Sequence, residues 1–448
     1  MKLWQKTVQV DRLVDEFTVG RDREMDMNLA RADILGSLAH TQMLERVGLL
    51  SSDELQAVQR GLKEILKSVE SGEFVIEDGV EDIHSQVELQ LTSMIGAVGG
   101  KIHSGRSRND QVLVDLKIFL RSELHAIVEQ CKTFFDTLQE LSQKYKDVLM
   151  PGYTHLQIAM PSSFGLWLGG YAESLVDDCH TLLAAYKICN KNPLGSAAGY
   201  GSSFALDRAL TTELLGFDEL NYNSIYAQMS RTKCEKSIAV ALASLASTLG
   251  RFAMDNCMFM SQNFGFISYP DSYTTGSSIM PHKKNPDVWE LIRGKCNMIQ
   301  GVPNTITLLT CNLPLGYNRD MQLLKEPLFG AIFELKGVLN MANVMLQEIV
   351  VKRDVVESSL YDHLFSVESV NELVAQGVPF REAYRTVGLE IERGDYTPKR
   401  EVAHTHQGSI GMLCNDSIRE MFESVVGEFN FQRYITAENN LVNGVSNK

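Results

Sequence analysis

LVDLKIFLRSELHAIVEQCKTFFDTLQEL, residues 113–141, sets the reading of the whole chain. Leu113, Leu116, Leu120, Leu124, Ile127, Cys131, Phe134, Leu138 and Leu141 step almost entirely by three and four, so they share one face of a helix. Ile238, Leu242, Leu245, Leu249, Phe252 and Phe259 repeat the pattern, with Asn256 at the one polar slot. Ile332, Leu335, Leu339, Ala342, Leu346 and Ile349 repeat it again. Three helices of roughly 30–40 residues would each run about 45–60 Å at about 1.5 Å per residue. That exceeds a usual globular helix and predicts a long bundle. The segment SIAVALASLASTL, 237–249, is apolar or small nearly all round, which predicts burial on several sides. A subunit interface supplies such burial, so a homo-oligomer is expected.

Proline placement agrees. None of the 11 prolines precedes Pro151, none falls within 194–269, and Pro270, Pro281, Pro286, Pro303, Pro314 and Pro327 crowd one region. Proline breaks helix interiors, so proline-free stretches permit long helices. Alternating strand patterns are scarce, and no βαβ rhythm, GxGxxG or Walker-type loop occurs. The expected fold is all-α with three helical domains: 1–105, a central long-helix bundle over 106–356, and 357–448. No low-complexity linker or internal repeat separates them.

The chain has 448 residues, which at about 100–200 residues per domain suggests two to four domains or one large composite core. That is long enough to bury most of its apolar surface without disulfides. A net charge of −14, from 42 basic and 56 acidic residues, argues against the basic face that nucleic acid requires. An anionic ligand must therefore meet locally concentrated positive charge. No run of 18 uninterrupted apolar residues suggests a membrane span, and the start, MKLWQKTVQVDRLVDE, lacks the apolar core of a secretory signal. The eight cysteines form no CxxC pair and no His/Cys cluster has zinc spacing, which predicts reduced thiols in a cytoplasmic protein, most of them core fillers.

Four polar, glycine-rich segments interrupt the helices. GGKIHSGRSRNDQ, 99–111, holds Lys101, Arg106 and Arg108 with no acid before Asp110, and either Ser107 or Asn109 is placed to cap the helix that starts there. A helix N-terminus beside arginines is a ready anion site. PGYTHLQ, 151–157, sets His155 between Thr154 and Leu156. TTGSSIMPHKKNP, 274–286, follows Gly276 with Ser277 and Ser278, then a Met-Pro step, then His282, Lys283, Lys284 and Asn285. Its glycine, serines and bounding proline suggest a mobile loop, and its lysines suggest anion handling. LGYNRDMQLLKE, 315–326, offers Tyr317, Arg319, Gln322 and Lys325 as donors. Taken singly, each segment also fits a solvated turn, a structural histidine, a flexible surface loop or an amphipathic helix start.

The combination is specific. GSSIMPHKKNP resembles the signature loop of the fumarase/aspartase superfamily. GRSRNDQ, GYTHLQ, GYNRDMQ and GVPFREAYRTVG (377–388) resemble the argininosuccinate lyase family in particular, and the resemblance runs from about residue 15 to about 390. It implies a fumarase/aspartase-like homotetramer whose active sites collect segments from three subunits, with no metal or organic cofactor. It also implies the last step of arginine biosynthesis, an elimination that splits argininosuccinate into arginine and fumarate. A proton leaves the carbon beside a carboxylate, the C–N bond breaks, and a doubly negative aci-carboxylate must be stabilised in between. By the resemblance, Ser277 is the base, activated by positive charge and backbone amides once the loop expels water. His155 is the general acid, or in some assignments the base, and Glu290 pairs with it. Lys283 and Asn285 hold the carboxylate. Arg108, Asn109, Thr154, Tyr317, Gln322 and Lys325, with Ser107 as a weaker candidate, bind substrate.

Three positions depart from the family pattern. His282 stands where glutamine is usual and is more typical of the adenylosuccinate lyase branch. FTVGRDRE, 17–24, lacks the usual substrate-contacting serine, and Thr232 follows Arg231 where an aspartate is usual. The nearest rival is adenylosuccinate lyase or another fumarate-releasing enzyme, which His282 favours and RSRNDQ, THLQ and YNRD oppose. A catalytically silent structural relative is a second rival, opposed by the presence of both Ser277 and His155. A plain coiled-coil scaffold explains the heptads but not the four loops.

Overall fold

The computed structural model describes residues 11–444; residues 1–10, most of the stretch read above as no secretory signal, lie outside the described residues. The chain enters through α1 (Arg12–Val19), α2 (Asp22–Asp26), α3 (Ala30–Arg46), α4 (Ser52–Glu70) and α5 (Ile83–Ile95). α6 (Arg108–Lys144) then leads into a hairpin of β1 (Leu149–Thr154) and β2 (Gln157–Ser163), followed by α7 (Phe164–Cys189). α8 (Arg208–Leu214), α9 (Ser224–Met260), α10 (Asp287–Leu309) and α11 (Lys325–Gln347) come next. α12 (Ser366–Ala375), α13 (Phe380–Arg393), α14 (Asn415–Gly427) and α15 (Gln432–Asn443) finish the chain.

The long helices begin where side chains can satisfy their first amides. Ser107, Ser163 and Asn223 cap α6, α7 and α9, and Ser51 forms a capping box with Glu54 at α4. α6 packs on α7 and α11, α7 on α9, α9 on α10, and α10 on α11, so five helices close the bundle that three stripes predicted. α6 and α9 each run 37 residues. The third predicted helix is shorter than expected: α11 spans 23 residues, because Pro327 is tolerated only within its first turn. The proline-rich region also holds a helix the prolines argued against. Pro303 lies inside α10, where Thr307 Oγ1 donates to the Pro303 carbonyl at 2.7 Å. Asn256, the polar slot of α9, is fully engaged: its Oδ1 accepts from Tyr269 and its Nδ2 donates to Phe252 O, both at 2.8 Å.

The main core joins Leu120, Phe134, Leu175, Leu242, Phe252, Trp289 and Leu335 across the bundle. A second core joins Ile34, Leu38, Leu62 and Val87 to Val114 and Ile118 of α6, to Leu215 and Phe217, and to Leu441 of α15. Glu438 of α15 ties this core down. It accepts from Arg31 at 2.7 Å and from the fully buried Arg121 at 3.2 Å, and the Arg121 guanidinium lies 4.4 Å from the Tyr434 ring centroid. All eight cysteines are unpaired, and Cys131, Cys179, Cys189, Cys234 and Cys296 are buried.

By composition, α9 and the stretch Arg319–Gln347 are long and apolar enough to cross a membrane, but 56% and 50% of their apolar windows are buried within the chain, as core helices require. α9 is not covered all round. Lys233, Lys236, Val240, Ser247, Arg251 and Met254 form one exposed face. Leu291, Met298 and Leu308 of α10 and Phe333 and Met341 of α11 are exposed as well.

Candidate active site

Ser107, not Asn109, caps α6: its hydroxyl accepts from Asn109 N at 3.3 Å, while Asp110 Oδ1 accepts from Ser107 N at 2.8 Å. The box fixes Arg108 and Asn109 in the first turn, facing a cavity. Arg108 is not a free cation there. Its guanidinium lies 3.0 Å from both Glu81 and Asp82, the acids just before α5, and donates to Ser85.

The segment Arg319–Leu324 closes the cavity from the other side. Arg319 and Gln322 donate to Thr18 O at 3.0 and 3.1 Å, and Arg319 also reaches Glu81 at 3.3 Å. Lys325 is buried, with Nζ 2.5 Å from both Asp22 and Asp26 of α2. The carboxylates hold its ammonium above the ordinary lysine range although burial opposes the charge. Asp22 is pushed up by burial and then by Asp26. Arg231 of α9 donates to Met321 O at 2.9 Å and stands 5.9 Å from the Tyr317 ring centroid. The acid missing at Thr232 is supplied one turn later: Arg231 Nε lies 3.6 Å from buried Glu235, whose carboxyl burial pushes up to about 7.

One cavity therefore gathers Arg108, Asn109, Tyr317, Gln322 and Lys325 from distant parts of the sequence. It also gathers Asp22, Asp26, Glu81, Asp82 and His84, which sequence reasoning missed, and Arg231 and Arg319, which it named without a site role. The positive charge expected to be concentrated for an anionic ligand lies instead in a two-signed cavity. Four carboxylates face four cationic side chains, because the 17–26 and 81–85 segments bring acids against the arginine loops. Asp22 fills part of the stretch in which no serine was found.

Behind His84 lies a buried polar trio. His84 Nδ1 is 2.9 Å from Asp33 and 3.3 Å from Asp115, and Gln111 donates to Asp33 at 2.6 Å. Burial opposes an imidazolium, but the hydrogen bond and charge of Asp33 hold His84 above its usual value. Asp115 is pushed well up, by burial and then by Asp33. The ligand atoms lie within 4.8 Å of one another, a spacing a metal ion could use. The His84–Asp33 hydrogen bond and the nearby charge of Arg106 make the trio an ion-paired support for the cavity floor.

The remaining predicted residues stand outside this cavity. Thr154 and His155 form the tip of the β1–β2 hairpin and are exposed. His155 and Leu156 are the two turn residues, with φ of 53° and 58°. That turn usually takes Asn-Gly, and each non-glycine residue in the left-handed region costs roughly 1–2 kcal/mol. Backbone strain of this kind clusters at functional sites.

Ser277 and Lys283 belong to a second hairpin tip, in which Thr275–Gly276 pairs antiparallel with Lys284–Asn285. Ser277 Oγ accepts from Ile279 N at 3.3 Å and Met280 N at 3.1 Å. Asn285 Nδ2 donates to Gly276 O at 3.3 Å and closes the hairpin's neck. Glu290 is exposed in the first turn of α10. Within a single chain five of the predicted binding residues are thus together, while Thr154 and the candidate catalytic residues sit on or beside two hairpins outside the cavity.

A family model described as "Lyase" matches residues 5–301. Argininosuccinate lyase from Parabacteroides distasonis is 58% identical over 443 residues, covering 99% of each chain. Argininosuccinate lyase from Thermotoga neapolitana is 39% identical over 88% of this chain and 98% of the relative. Among solved structures, EDDS lyase in complex with formate superposes with a TM-score of 0.72 at 21% identity, over 97% of this chain and 95% of that one. A fumarate lyase:delta crystallin from Brucella melitensis bound to cobalt gives 0.72 at 16% identity, over 95% and 92%. These last two likenesses carry the all-α fold alone. With sequence relatives so close over so much of its length, the chain belongs to the argininosuccinate lyase family within the fumarase/aspartase superfamily.

Proposed function

We infer that this protein cleaves argininosuccinate to L-arginine and fumarate, the last step of arginine biosynthesis, in the cytoplasm. The observation that carries the reading is the two-signed cavity. Argininosuccinate bears a cationic guanidinium and several carboxylates, and a site for it needs fixed charge of both signs. Asp22, Asp26, Glu81 and Asp82 suit the guanidinium half. Arg108, Arg231, Arg319 and Lys325 suit carboxylates. Each of these cations already has an acid partner within the chain, so substrate binding exchanges ion pairs rather than creating them.

The chemistry follows from the two tips. Ser277 takes the proton from the carbon beside a retained carboxylate, next to the carbon that carries the leaving nitrogen. The amides on its Oγ stabilise a serine oxygen with developing negative charge. The carbanion delocalises into an aci-carboxylate, which Lys283 and Asn285 hold. His155, oriented by Glu290, protonates the leaving guanidinium nitrogen as the C–N bond breaks. Thr154, with Arg108, Asn109, Tyr317, Gln322, Lys325 and Ser107, positions the substrate. Positioned acid–base groups typically contribute about 10²–10⁴-fold, so electrostatic stabilisation supplies much of the rest.

Assembly completes the site. The exposed apolar residues of α9, α10 and α11 support a homotetramer in which tips from neighbouring subunits reach the cavity. The deciding experiment offers argininosuccinate and adenylosuccinate separately and follows fumarate by ultraviolet absorbance. Turnover of the first alone is expected, and turnover of the second alone would overturn the reading. Sedimentation at the mass of one or two chains would remove the shared site.

A further inference from the structure

A glycine-rich loop that the sequence motifs did not include runs from Pro193 to Gly201, behind the first turn of α6. It is held in an unusual shape. Gly195, Ala197, Gly199 and Gly201 all have positive φ, at 84°, 53°, 95° and 80°. Alanine disfavours that region, so the conformation must be imposed from outside the loop. One side chain does so. Asp110 is fully buried, and its Oδ2 accepts from Gly195 N and Ala197 N, both at 2.9 Å. Its Oδ1 accepts from Ser107 N in the α6 capping box. A carboxylate converging with three amides is the arrangement an anion adopts at a helix start or a backbone nest, supplied here by the chain itself.

Both ends of this connection lie beside residues that line the cavity. On one side Asp110 follows Arg108 and Asn109 directly in the first turn of α6. On the other, the loop leads through Gly199, where an added Cβ would lie 3.2 Å from Gln228, to Tyr200. The Tyr200 hydroxyl lies 3.4 Å from where a Cβ on Gly316 would stand, beside Tyr317. Arg208 straps the loop from outside, donating to Leu194 O at 2.9 Å and Asn221 O at 2.8 Å.

We propose that Asp110 is a positioning residue for substrate binding: one carboxylate locks the Arg108–Asn109 turn to the Gly195–Gly201 loop, whose Tyr200 abuts Gly316, and so holds Arg108 and Asn109 in place relative to Tyr317 across the cavity. The proposal rests on the substrate reading above. The test is Asp110→Asn, read by kcat and KM for argininosuccinate and by amide hydrogen exchange over 105–112 and 193–201. An amide offers one oxygen where the carboxylate offers two, so the cap or the loop loses its acceptor.

KM is expected to rise about tenfold with kcat within threefold, and both segments to exchange faster. Arg208→Lys, which loosens only the outer strap, should raise KM in the same direction, and it serves if Asp110→Asn does not fold. KM within twofold of the parent in the soluble variants, with unchanged exchange, would overturn the proposal. A loss of kcat at unchanged KM, in proportion to folded protein, would overturn it too. If the parent chain leaves argininosuccinate intact, the substrate reading fails, while the exchange data still judge Asp110.

Discussion

Ser277 Oγ and the backbone nitrogen of Met280 lie 3.1 Å apart, with the amide donating to the hydroxyl oxygen. An alkoxide-like serine needs such a donor, and a resting serine on an exposed tip does not. Ser277→Ala should therefore abolish fumarate release. It should leave the melting temperature within about 2 °C, as expected of a surface substitution. Residual turnover within tenfold of the parent would remove Ser277 from the mechanism.

His155 stands in a left-handed turn conformation at the tip of its hairpin. Asparagine tolerates that backbone better than most residues, so His155→Asn isolates the imidazole. The rate is expected to fall at least a hundredfold, the loss of one positioned acid. Sedimentation velocity should show the assembly unchanged. A variant that mainly dissociates would make His155 an interface residue.

Lys325 lies between Asp22 and Asp26, and removing it leaves a half-buried and a buried carboxylate facing each other. Lys325→Met should destabilise the chain by about 3–5 kcal/mol, the usual result of breaking a buried ion pair from one side. Adding Asp22→Asn removes one of the stranded charges and should restore a large part of that loss. Urea denaturation of the parent, the single and the double variant measures it. No recovery in the double variant would show that the acids are not coupled through Lys325.

His40 gives a pH dependence of known sign. It is fully buried, its Nε2 faces Ser104 O at 2.8 Å, and burial, with the charge of Arg106, pushes it down to about 3. A base whose folded value lies below its ordinary 6.5 stabilises the fold in full above pH 6.5. It loses that contribution as pH falls towards the folded value, because only the unfolded chain takes up the proton. At about 1.4 kcal/mol per pH unit, the loss by pH 5 is about 2 kcal/mol. In His40→Gln, which keeps a donor for Ser104, stability should fall less between pH 7 and pH 5 than in the parent. Parallel curves would refute the assignment.

The stripe from Leu113 to Leu141 was legible because a helix buried on one face imposes its period on the sequence. α7 was not anticipated. It is buried on several sides, so its apolar residues show little period, and glycines interrupt it. Gly165 is required there, because an added Cβ would lie 2.5 Å from Lys146 Cα. The binding half of the site was legible in Arg108, Asn109, Tyr317, Gln322 and Lys325, which sit in distinctive loops. Its acidic half was not. Asp22, Asp26, Glu81 and Asp82 look like ordinary surface acids until the fold sets α2 and the start of α5 against α11 and the start of α6. Asp110 was hidden differently: its partners at 195 and 197 are backbone amides, which leave no mark on residue type.

The clamp of Glu438 on Arg31 and Arg121 has a consequence for how the chain is made. Leu441 completes the core that Ile34 and Leu38 begin, so α3 waits for a helix far downstream in the chain to be translated. At roughly 5–20 residues per second that wait is on the order of half a minute. During it the nascent N-terminal helices carry an unfinished apolar surface. Chaperone demand should therefore last until α15 has emerged, and a chain cut before Glu438 should yield aggregated product rather than a shortened enzyme.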